Sequence, residues 1–137
     1  MVAFPQLTSA LLLLLCVLLH VLIWWGGWLC CRGAAAGKCR LESIGVKQEK
    51  TGAVVEGKPE YEVTVRNGCL CPQSRVVVRC YGLSSLRAVD PRAIRPVGET
   101  DCLVNGGRPI VGGAAVKFRY AWTTPQDFPL VSSKISC

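Results

Sequence analysis

The sequence predicts an all-β protein: a small, disulfide-stapled antiparallel β-sandwich or barrel that follows an N-terminal signal peptide. Three observations indicate this fold class. Apolar and polar residues alternate with a period of two over several short segments, Gly- and Pro-rich turns separate those segments, and six cysteines lie within residues 37–137. Such alternation is typical of strands with one buried face, and six cysteines in a short exported chain indicate a disulfide framework.

The N-terminal segment predicts a signal peptide. The first 31 residues contain no Asp, Glu, Lys or Arg, and an apolar stretch fills residues 10–31. Ala34 and Ala36 supply the small-x-small pattern that signal peptidase accepts, so we expect cleavage after Ala36. Residues 1–36 are therefore predicted to be the signal peptide, and residues 37–137 a cysteine-rich secreted domain.

A retained signal anchor is the alternative for this leader. Its apolar stretch exceeds the roughly 7–15 residues of a typical signal-peptide core and is long enough to cross a bilayer. Basic residues follow the stretch but do not precede it, which mildly disfavours export of the C-terminal side. The small-x-small site and the even number of cysteines after Ala36 favour cleavage, and membrane attachment is expected only through an uncleaved leader.

The predicted secreted domain is basic and contains no histidine. The only histidine, His20, lies in the leader, so the domain offers no His-based triad, general base or metal ligand. Its Lys and Arg residues outnumber Asp and Glu by fifteen to nine, which produces a positive field. We therefore expect a binding protein rather than an enzyme, without a cofactor or a metal.

Six cysteines in the predicted domain indicate three disulfides. A bond between Cys69 and Cys71 would be strained, because one residue separates them, and excluding it leaves twelve of the fifteen possible pairings open. Export favours oxidation and the spacing lacks paired C-x-x-C knuckles, so we expect structural disulfides rather than a redox or zinc site. The six are Cys39, Cys69, Cys71, Cys80, Cys102 and Cys137.

Alternation predicts the strands in order along the domain. In residues 60–66 the apolar Tyr61, Val63 and Val65 share one face, and the glutamates share the opposite, solvated face. A β-branched run and a second alternating segment follow the same rule further along the chain. Strands are predicted at residues 43–48, 60–66, 75–80, 103–105, 116–122 and 130–136.

Turn-forming residues separate these strands and include one short helical turn. Asp90 followed by Pro91 predicts a single helical turn over residues 90–94, because Asp caps helices and Pro is favoured at the first helical position. Many short strands with frequent turns favour an antiparallel sandwich or barrel. The other turns are predicted at residues 56–59, 105–109, 112–113 and 124–127.

Several ordered pieces of residues 41–137 resemble the tapetum-determinant family of small secreted cysteine-rich plant proteins. The most specific piece is Asp-Cys-Leu-Val-Asn-Gly-Gly-x-Pro-Ile at residues 101–110. The other pieces are Pro-Glu-Tyr-x-Val-x-Val-x-Asn at 59–67, the Cys69/Cys71 pair, Val-x-Val-x-Cys at 76–80, Ser84-Ser85, Val-Asp-Pro-Arg at 89–92, Phe-x-Tyr-Ala at 118–121 and the terminal Cys137.

The resemblance implies a function as well as an extracellular location. It implies a ligand, secreted into the apoplast, for the ectodomain of a plant leucine-rich-repeat receptor kinase. Such ligands set cell fate in the anther and ovule, including tapetum specification and the number of sporocytes. The resemblance therefore implies a signalling protein that acts by binding.

Candidate receptor contacts come from basic strand faces and polar loops. Arg side chains bind carboxylates in a two-point fashion, and surface loops commonly carry recognition residues. The structural alternatives are a solvated strand face for the basic residues, turn chemistry for the loop residues and core packing for Trp122, the one tryptophan of residues 37–137. The candidates are Asp90, Arg92, Asp101, Asn105, Arg108, Lys117, Arg119 and Trp122.

Two other functions compete with the receptor ligand. One is a cell-wall module that binds an acidic polysaccharide such as de-esterified pectin through the positive face. The other is a protease inhibitor with residues 98–101 or 105–109 as its inhibitory loop. Nucleic acid is not an expected partner of an exported protein. Glu60 and Glu62 are not an expected glycosidase pair, because both lie on one solvated strand face.

The disulfide framework predicts that the exported protein has no free thiol. All six cysteines of residues 37–137 are expected to be paired, so a thiol reagent should label no site on the denatured, unreduced product. Reduction before labelling should then give six sites per chain. One or more reactive thiols on the unreduced, cleaved product would contradict the framework.

Overall fold

The computed structural model describes residues 4–26 and 38–137. The chain divides into two units, Met1–Ala36 and Gly37–Cys137. Each unit is described by itself below. The cleavage site predicted after Ala36 lies outside the described residues, so cleavage at that bond stays a prediction.

The described residues of the first unit form an α-helix, α1, which spans Phe4–Gly26. Its sequence is rich in Leu, which loses little side-chain freedom in a helix and therefore favours this conformation. The side chains of residues 10–21 are exposed. Within residues 4–26 and 38–137, no helix is both long enough and apolar enough to pass through a membrane.

The second unit consists of two antiparallel sheets. The strands follow the order β1-β2-β6 in the first sheet and β4-β5-β3-β7 in the second, and all neighbours are antiparallel. The predicted all-β antiparallel sandwich is therefore confirmed. The strands are β1 Ile44–Val55, β2 Lys58–Asn67, β3 Gln73–Arg79, β4 Ile94–Val97, β5 Asp101–Val104, β6 Ala115–Ala121 and β7 Leu130–Ile135.

The core lies between the inner faces of the two sheets. From β2, Val63 and Val65 are fully buried, and from β3, Val76 and Val78 are at most 1% exposed. These side chains belong to one hydrophobic cluster with residues of both sheets. Burying a Val side chain contributes about 1.5–3 kcal/mol, so the alternating positions of the sequence hold the sheets together.

The segment before β7 is anchored on Tyr120 of β6. Phe128 packs edge-to-face against Phe118 and Tyr120, with ring centroids 5.4 and 5.7 Å apart. The Tyr120 hydroxyl donates to the side-chain oxygen of Gln48 and accepts from the backbone N–H of Gln126 at 2.8 Å. Burial raises the pKa of Tyr120, so the phenol keeps the proton that it donates.

The turn predicted before β4 is present, but the strand that follows it was not predicted. The Asp90 carbonyl accepts from the N–H groups of Ala93 and Ile94 at 3.0 and 3.2 Å, and the Asp90 carboxylate accepts from the N–H of Arg92 at 2.9 Å. The chain then enters β4 at Ile94. Pro96 lacks an N–H and is tolerated there because β4 is an edge strand.

Three disulfides join the strands at their ends. Cys69 and Cys71 bond to different partners, as expected from their spacing. Cys39–Cys69 links the segment before β1 to the connection between β2 and β3, and Cys71–Cys137 links the same connection to the segment after β7. Cys80–Cys102 links the end of β3 to β5.

Asn67, at the end of β2, fastens the crossing between the sheets to the turn before β6. Its side chain is fully buried. The amide nitrogen donates to the carbonyls of Cys71 and Ile110, both at 2.8 Å, and the amide oxygen accepts from the N–H of Cys69 at 3.0 Å. One side chain therefore satisfies backbone groups of two loops that are far apart in sequence.

Gly112→Ala is expected to destabilise the domain. A Cβ at this position would lie 2.6 Å from the carbonyl oxygen of Cys69 and 2.7 Å from that of Leu70. Both are backbone atoms between two disulfides, so they have little freedom to move. Overpacking of this kind costs about 1–3 kcal/mol, and denaturant unfolding of the oxidised protein should show such a loss.

Gly45→Ala is the matched control for this variant. An added Cβ at Gly45 has nothing within 4 Å, and the site lies in strand β1, so the free energy of unfolding should not fall. Equal stability of the Gly112→Ala variant, the control and the original protein would contradict the close approach at Gly112.

Candidate functional site

The outer face of the first sheet brings together charged residues from three strands. Lys117 and Arg119, both predicted contacts, project from β6, and the register places Arg119 opposite Glu62 of β2. Alternation on β1 and β2 adds further charges on the same side of the sheet. We call this surface the charged face; it consists of Lys47, Glu49, Glu62, Thr64, Arg66, Lys117 and Arg119.

Glu62 is the centre of an ion-pair network on the charged face. Arg119 Nε donates to one carboxylate oxygen at 2.9 Å, and Lys117 Nζ lies 3.5 Å from the other. The hydrogen bond from Arg119 lowers the pKa of Glu62 below its ordinary value, partial burial opposes this, and the charges of Arg119 and Lys117 lower the pKa further. Glu62 therefore stays charged and orients both basic side chains.

Glu60 was predicted to lie on the solvated face, and this prediction is wrong. Its side chain is only 3% exposed, because the loop between β3 and β4 covers it. Arg87 of that loop donates to one carboxylate oxygen at 2.8 Å, and the Thr51 hydroxyl donates to the other at 2.9 Å. The guanidinium of Arg119 lies 3.8 Å from the carboxylate. The negative charge of buried Glu60 is therefore compensated by two arginines.

Four of the predicted contacts meet at one end of the second sheet, which we call the loop cluster. Arg108 donates from Nε to the Asn105 carbonyl at 3.0 Å and from Nη2 to the Asn105 side chain at 3.1 Å. The Asn105 N–H donates to the carbonyl of Ala93 at 2.7 Å, which joins this loop to the turn of Asp90 and Arg92. The N–H of Arg92 lowers the pKa of Asp90 by hydrogen bonding to its carboxylate.

The two remaining candidates lie elsewhere. Asp101 begins β5, at the opposite end from the loop cluster, and lies 3.6 Å from Arg79. Trp122 follows β6, is half-buried against the core, and donates its backbone N–H to Pro59 at 3.3 Å. The predicted contacts therefore occupy four separate places, and their role as contacts stays a prediction.

Sequence reasoning did not select Lys47 or Arg66 as members of the charged face. The alternation of β2 already places Arg66 on the outer side, with Glu62 and Thr64. Thr64 pairs with Lys47 of β1 and with Lys117 of β6. The second pairing joins strands far apart in sequence, and no local pattern encodes it. The sequence signal that could have identified Arg66 is that it shares the outward face of β2 with Glu62 and Thr64.

Three cysteine sulfurs lie close together at the crossing between the sheets. The sulfurs of Cys39, Cys71 and Cys137 are within 4.8 Å of one another. All three atoms are bonded in disulfides, and metal binding requires a thiolate. Their proximity therefore reflects two adjacent disulfides rather than a metal centre.

Three disulfides and two antiparallel sheets together define a small cysteine-rich β-sandwich domain. The model of the family described as "Tapetum determinant 1, C-terminal" matches residues 40–137. The chain therefore belongs to the tapetum determinant 1 family, and the resemblance seen in the sequence is confirmed.

Two relatives give the extent of the similarity. TPD1 protein homolog 1 of Arabidopsis thaliana is 35% identical over 101 residues, which cover 72% of this chain and 55% of that protein. TPD1 protein homolog 1A of Oryza sativa subsp. japonica is 36% identical over 92 residues, which cover 61% of this chain and 41% of that protein. The chain thus spans about half the length of these relatives. No solved structure matches it.

Arg119→Gln is expected to raise the pKa of Glu62. The variant removes the charge and the short hydrogen bond that contribute most to lowering this pKa. Titration of the Glu62 carboxyl carbon by NMR should show the increase. Lys117→Gln is the matched control, because Lys117 contributes less to the lowering and should give a smaller increase. An unchanged Glu62 pKa in the Arg119→Gln variant would contradict the network.

The same pair predicts a pH dependence of stability. Because the pKa of Glu62 is lower in the folded protein than in the unfolded chain, its contribution is present at pH values above the unfolded pKa. The contribution is lost as the pH falls through the lowered folded pKa. Unfolding curves of Arg119→Gln at several acid pH values should show a weaker loss of stability than those of the original protein.

Proposed function

We propose that this protein is a secreted ligand for the ectodomain of a plant leucine-rich-repeat receptor kinase. It acts in anther and ovule development, where it controls tapetum specification and the number of sporocytes. The match to the tapetum determinant 1 family over residues 40–137 carries the proposal, because it includes both sheets, the charged face and the loop cluster. The ligand acts by binding one arrangement of the receptor more tightly than another, since only differential affinity shifts an equilibrium.

Export to the apoplast is supported by the cysteine chemistry. Six cysteines of the second unit form three disulfides, and such bonds form and persist in oxidising compartments. The apolar, uncharged leader provides a route for export. The domain is therefore proposed to act outside the cell after removal of residues 1–36.

The environments of Glu60 and Glu62 support a role in binding rather than in catalysis. These are the two carboxylates that could be compared with a glycosidase pair. A glycosidase requires one carboxylic acid whose pKa is raised. The pKa of Glu62 is lowered by Arg119. The Glu60 carboxylate forms an ion pair with Arg87 and accepts a hydrogen bond from the Thr51 hydroxyl. Both groups are occupied in ion pairs that orient basic side chains.

An acidic cell-wall polysaccharide is the second candidate partner. The observation that favours it is the excess of basic residues, several of which are exposed on β-strands: Arg66, Arg95, Lys117 and Arg119. Retention on de-esterified pectin that weakens steeply with salt would support it. The proposed inhibitor function has no comparable support.

Receptor binding is tested with the product exported from a host that expresses the full sequence. The oxidised product should bind at least one ectodomain of a panel of plant leucine-rich-repeat receptor kinases saturably, as measured by biolayer interferometry. Combined Lys117→Glu and Arg119→Glu substitutions should weaken that binding at least about tenfold, since reversing both charges places like charges opposite each other at the contact, which costs several kcal/mol.

Combined Arg95→Glu and Lys134→Glu substitutions are the matched control. They change the net charge by the same amount on exposed positions of the second sheet and should leave the affinity within about twofold. If the protein binds none of the ectodomains saturably and is instead retained on pectin in a salt-sensitive way, the receptor-ligand proposal is contradicted and the polysaccharide-binding module is supported.

A further inference from the structure

The charged face contains a shallow depression with a floor of small residues. Gly45, Thr64 and Ala115 come from β1, β2 and β6, and together with their charged neighbours they line a cavity of about 480 Å³. Gly45 and Ala115 lie on either side of Arg66 in the strand register. Because neither has a side chain larger than a methyl group, the space beside Arg66 is open.

Three basic residues surround the hydroxyl of Thr64. The register places Lys47 on one side of Thr64 and Lys117 on the other. Arg66 lies two residues further along β2, on the same face as Thr64. All three basic residues are exposed. The arrangement offers a hydroxyl, a planar guanidinium and two ammonium groups to one entering anion.

The charges at the rim are not all neutralised. Lys47 pairs with Glu49 at 3.2 Å, and Lys117 pairs with Glu62 at 3.5 Å. Among the residues that the structure describes, Arg66 has no carboxylate within 4.0 Å. It is therefore the basic group on this face that is available to a partner in the fork geometry that suits a carboxylate.

We propose that this depression binds the carboxylate of an acidic side chain presented by a protein partner. Arg66 holds the carboxylate with its two-point fork, the Thr64 hydroxyl donates to it, and Lys47 and Lys117 provide the surrounding positive field. The assignment deepens the proposed function. Its identification of the protein partner as the receptor ectodomain rests on that function.

The two glutamates favour a protein partner over a polysaccharide. Glu49 and Glu62 form one border of the depression, so a continuous polyanion such as polygalacturonate meets repulsion after its first carboxylate. Sugar chains are also commonly stacked on aromatic rings, and none of the described residues that line the depression is aromatic. The depression has basic residues at one end and the two glutamates at the other. Such a surface complements a protein segment that carries both acidic and basic side chains.

The experiment is an NMR titration of the exported, isotope-labelled product with a defined peptide. The probe is the blocked tripeptide acetyl-Gly-Glu-Gly-amide, and acetyl-Gly-Gln-Gly-amide is the neutral control ligand. The acidic peptide should shift the amide signals of Gly45, Thr64, Arg66 and Ala115, and the neutral peptide should bind at least about fivefold more weakly. The shifts should decrease with added salt, because the contact is between exposed charges.

Two variants test whether the depression itself is the site. Arg66→Gln removes the fork and should weaken binding at least about fivefold, whereas Arg95→Gln makes the same charge change on β4 and should not. Gly45→Leu fills the depression without changing the charge, because nothing lies within 4 Å of an added Cβ. It should abolish the shifts, whereas Ser132→Leu, at an exposed position of β7, should preserve them.

Several results would overturn the assignment. These are shifts spread over both sheets, unchanged binding by the Gly45→Leu variant, no detectable binding of the acidic peptide, and tighter binding of tetragalacturonate at the same signals. The last result would identify a polysaccharide site. No receptor takes part in the titration, so its outcome is independent of whether an ectodomain binds in the experiment proposed above.

Discussion

The crossing between the two sheets is held by two disulfides and one buried amide, and the rest of the domain depends on it. Five residues separate the end of β2 from the start of β3. Within them, Cys69 is bonded to Cys39 and Cys71 to Cys137, so both ends of the domain are tied to one short connection. Asn67 satisfies the backbone of the same connection and of the turn before β6. In the chain-entropy description, a disulfide that closes a loop of tens of residues stabilises the folded state by about 3–4 kcal/mol. This is a large share of the free energy of unfolding of a typical domain, which is roughly 5–15 kcal/mol.

This rigid connection has a consequence for the outer surfaces. Because the sheets are fixed at their ends, the charged face is arranged before any partner binds. Buried Glu60 extends this effect, since it holds Arg87 of the covering loop and lies 3.8 Å from Arg119. Side chains that are already oriented lose less freedom on binding, which raises affinity without additional contacts. The charged face is therefore preformed, which is the property that the proposed receptor binding requires.

The sequence carries most of the strand pattern because alternation is a local signal. Six of the seven strands overlap predicted segments, although β1 continues to Val55, beyond its predicted end at residue 48. Tyr61, Val63 and Val65 are buried as their spacing requires. β4 escaped prediction because it has four residues and contains Pro96, which by itself indicates a loop or an edge. Arg75 in β3 adopts a positive φ of 49°, and the register with β7 shifts there. Such a bulge depends on the neighbouring strand and has no signature in the sequence.

The candidate site could be predicted only in part, for a related reason. A period of two placed Lys117 and Arg119 on one face, and the structure keeps them there beside Glu62. What alternation does not supply is the neighbouring strand: the opening beside Arg66 exists because Gly45 and Ala115 fall opposite it in the register. Small residues at such positions are weak strand formers by composition, yet in the sheet they leave the space beside an exposed arginine open. Open charged surfaces of this kind are therefore found by combining outward-facing charges with the absence of large side chains across the register.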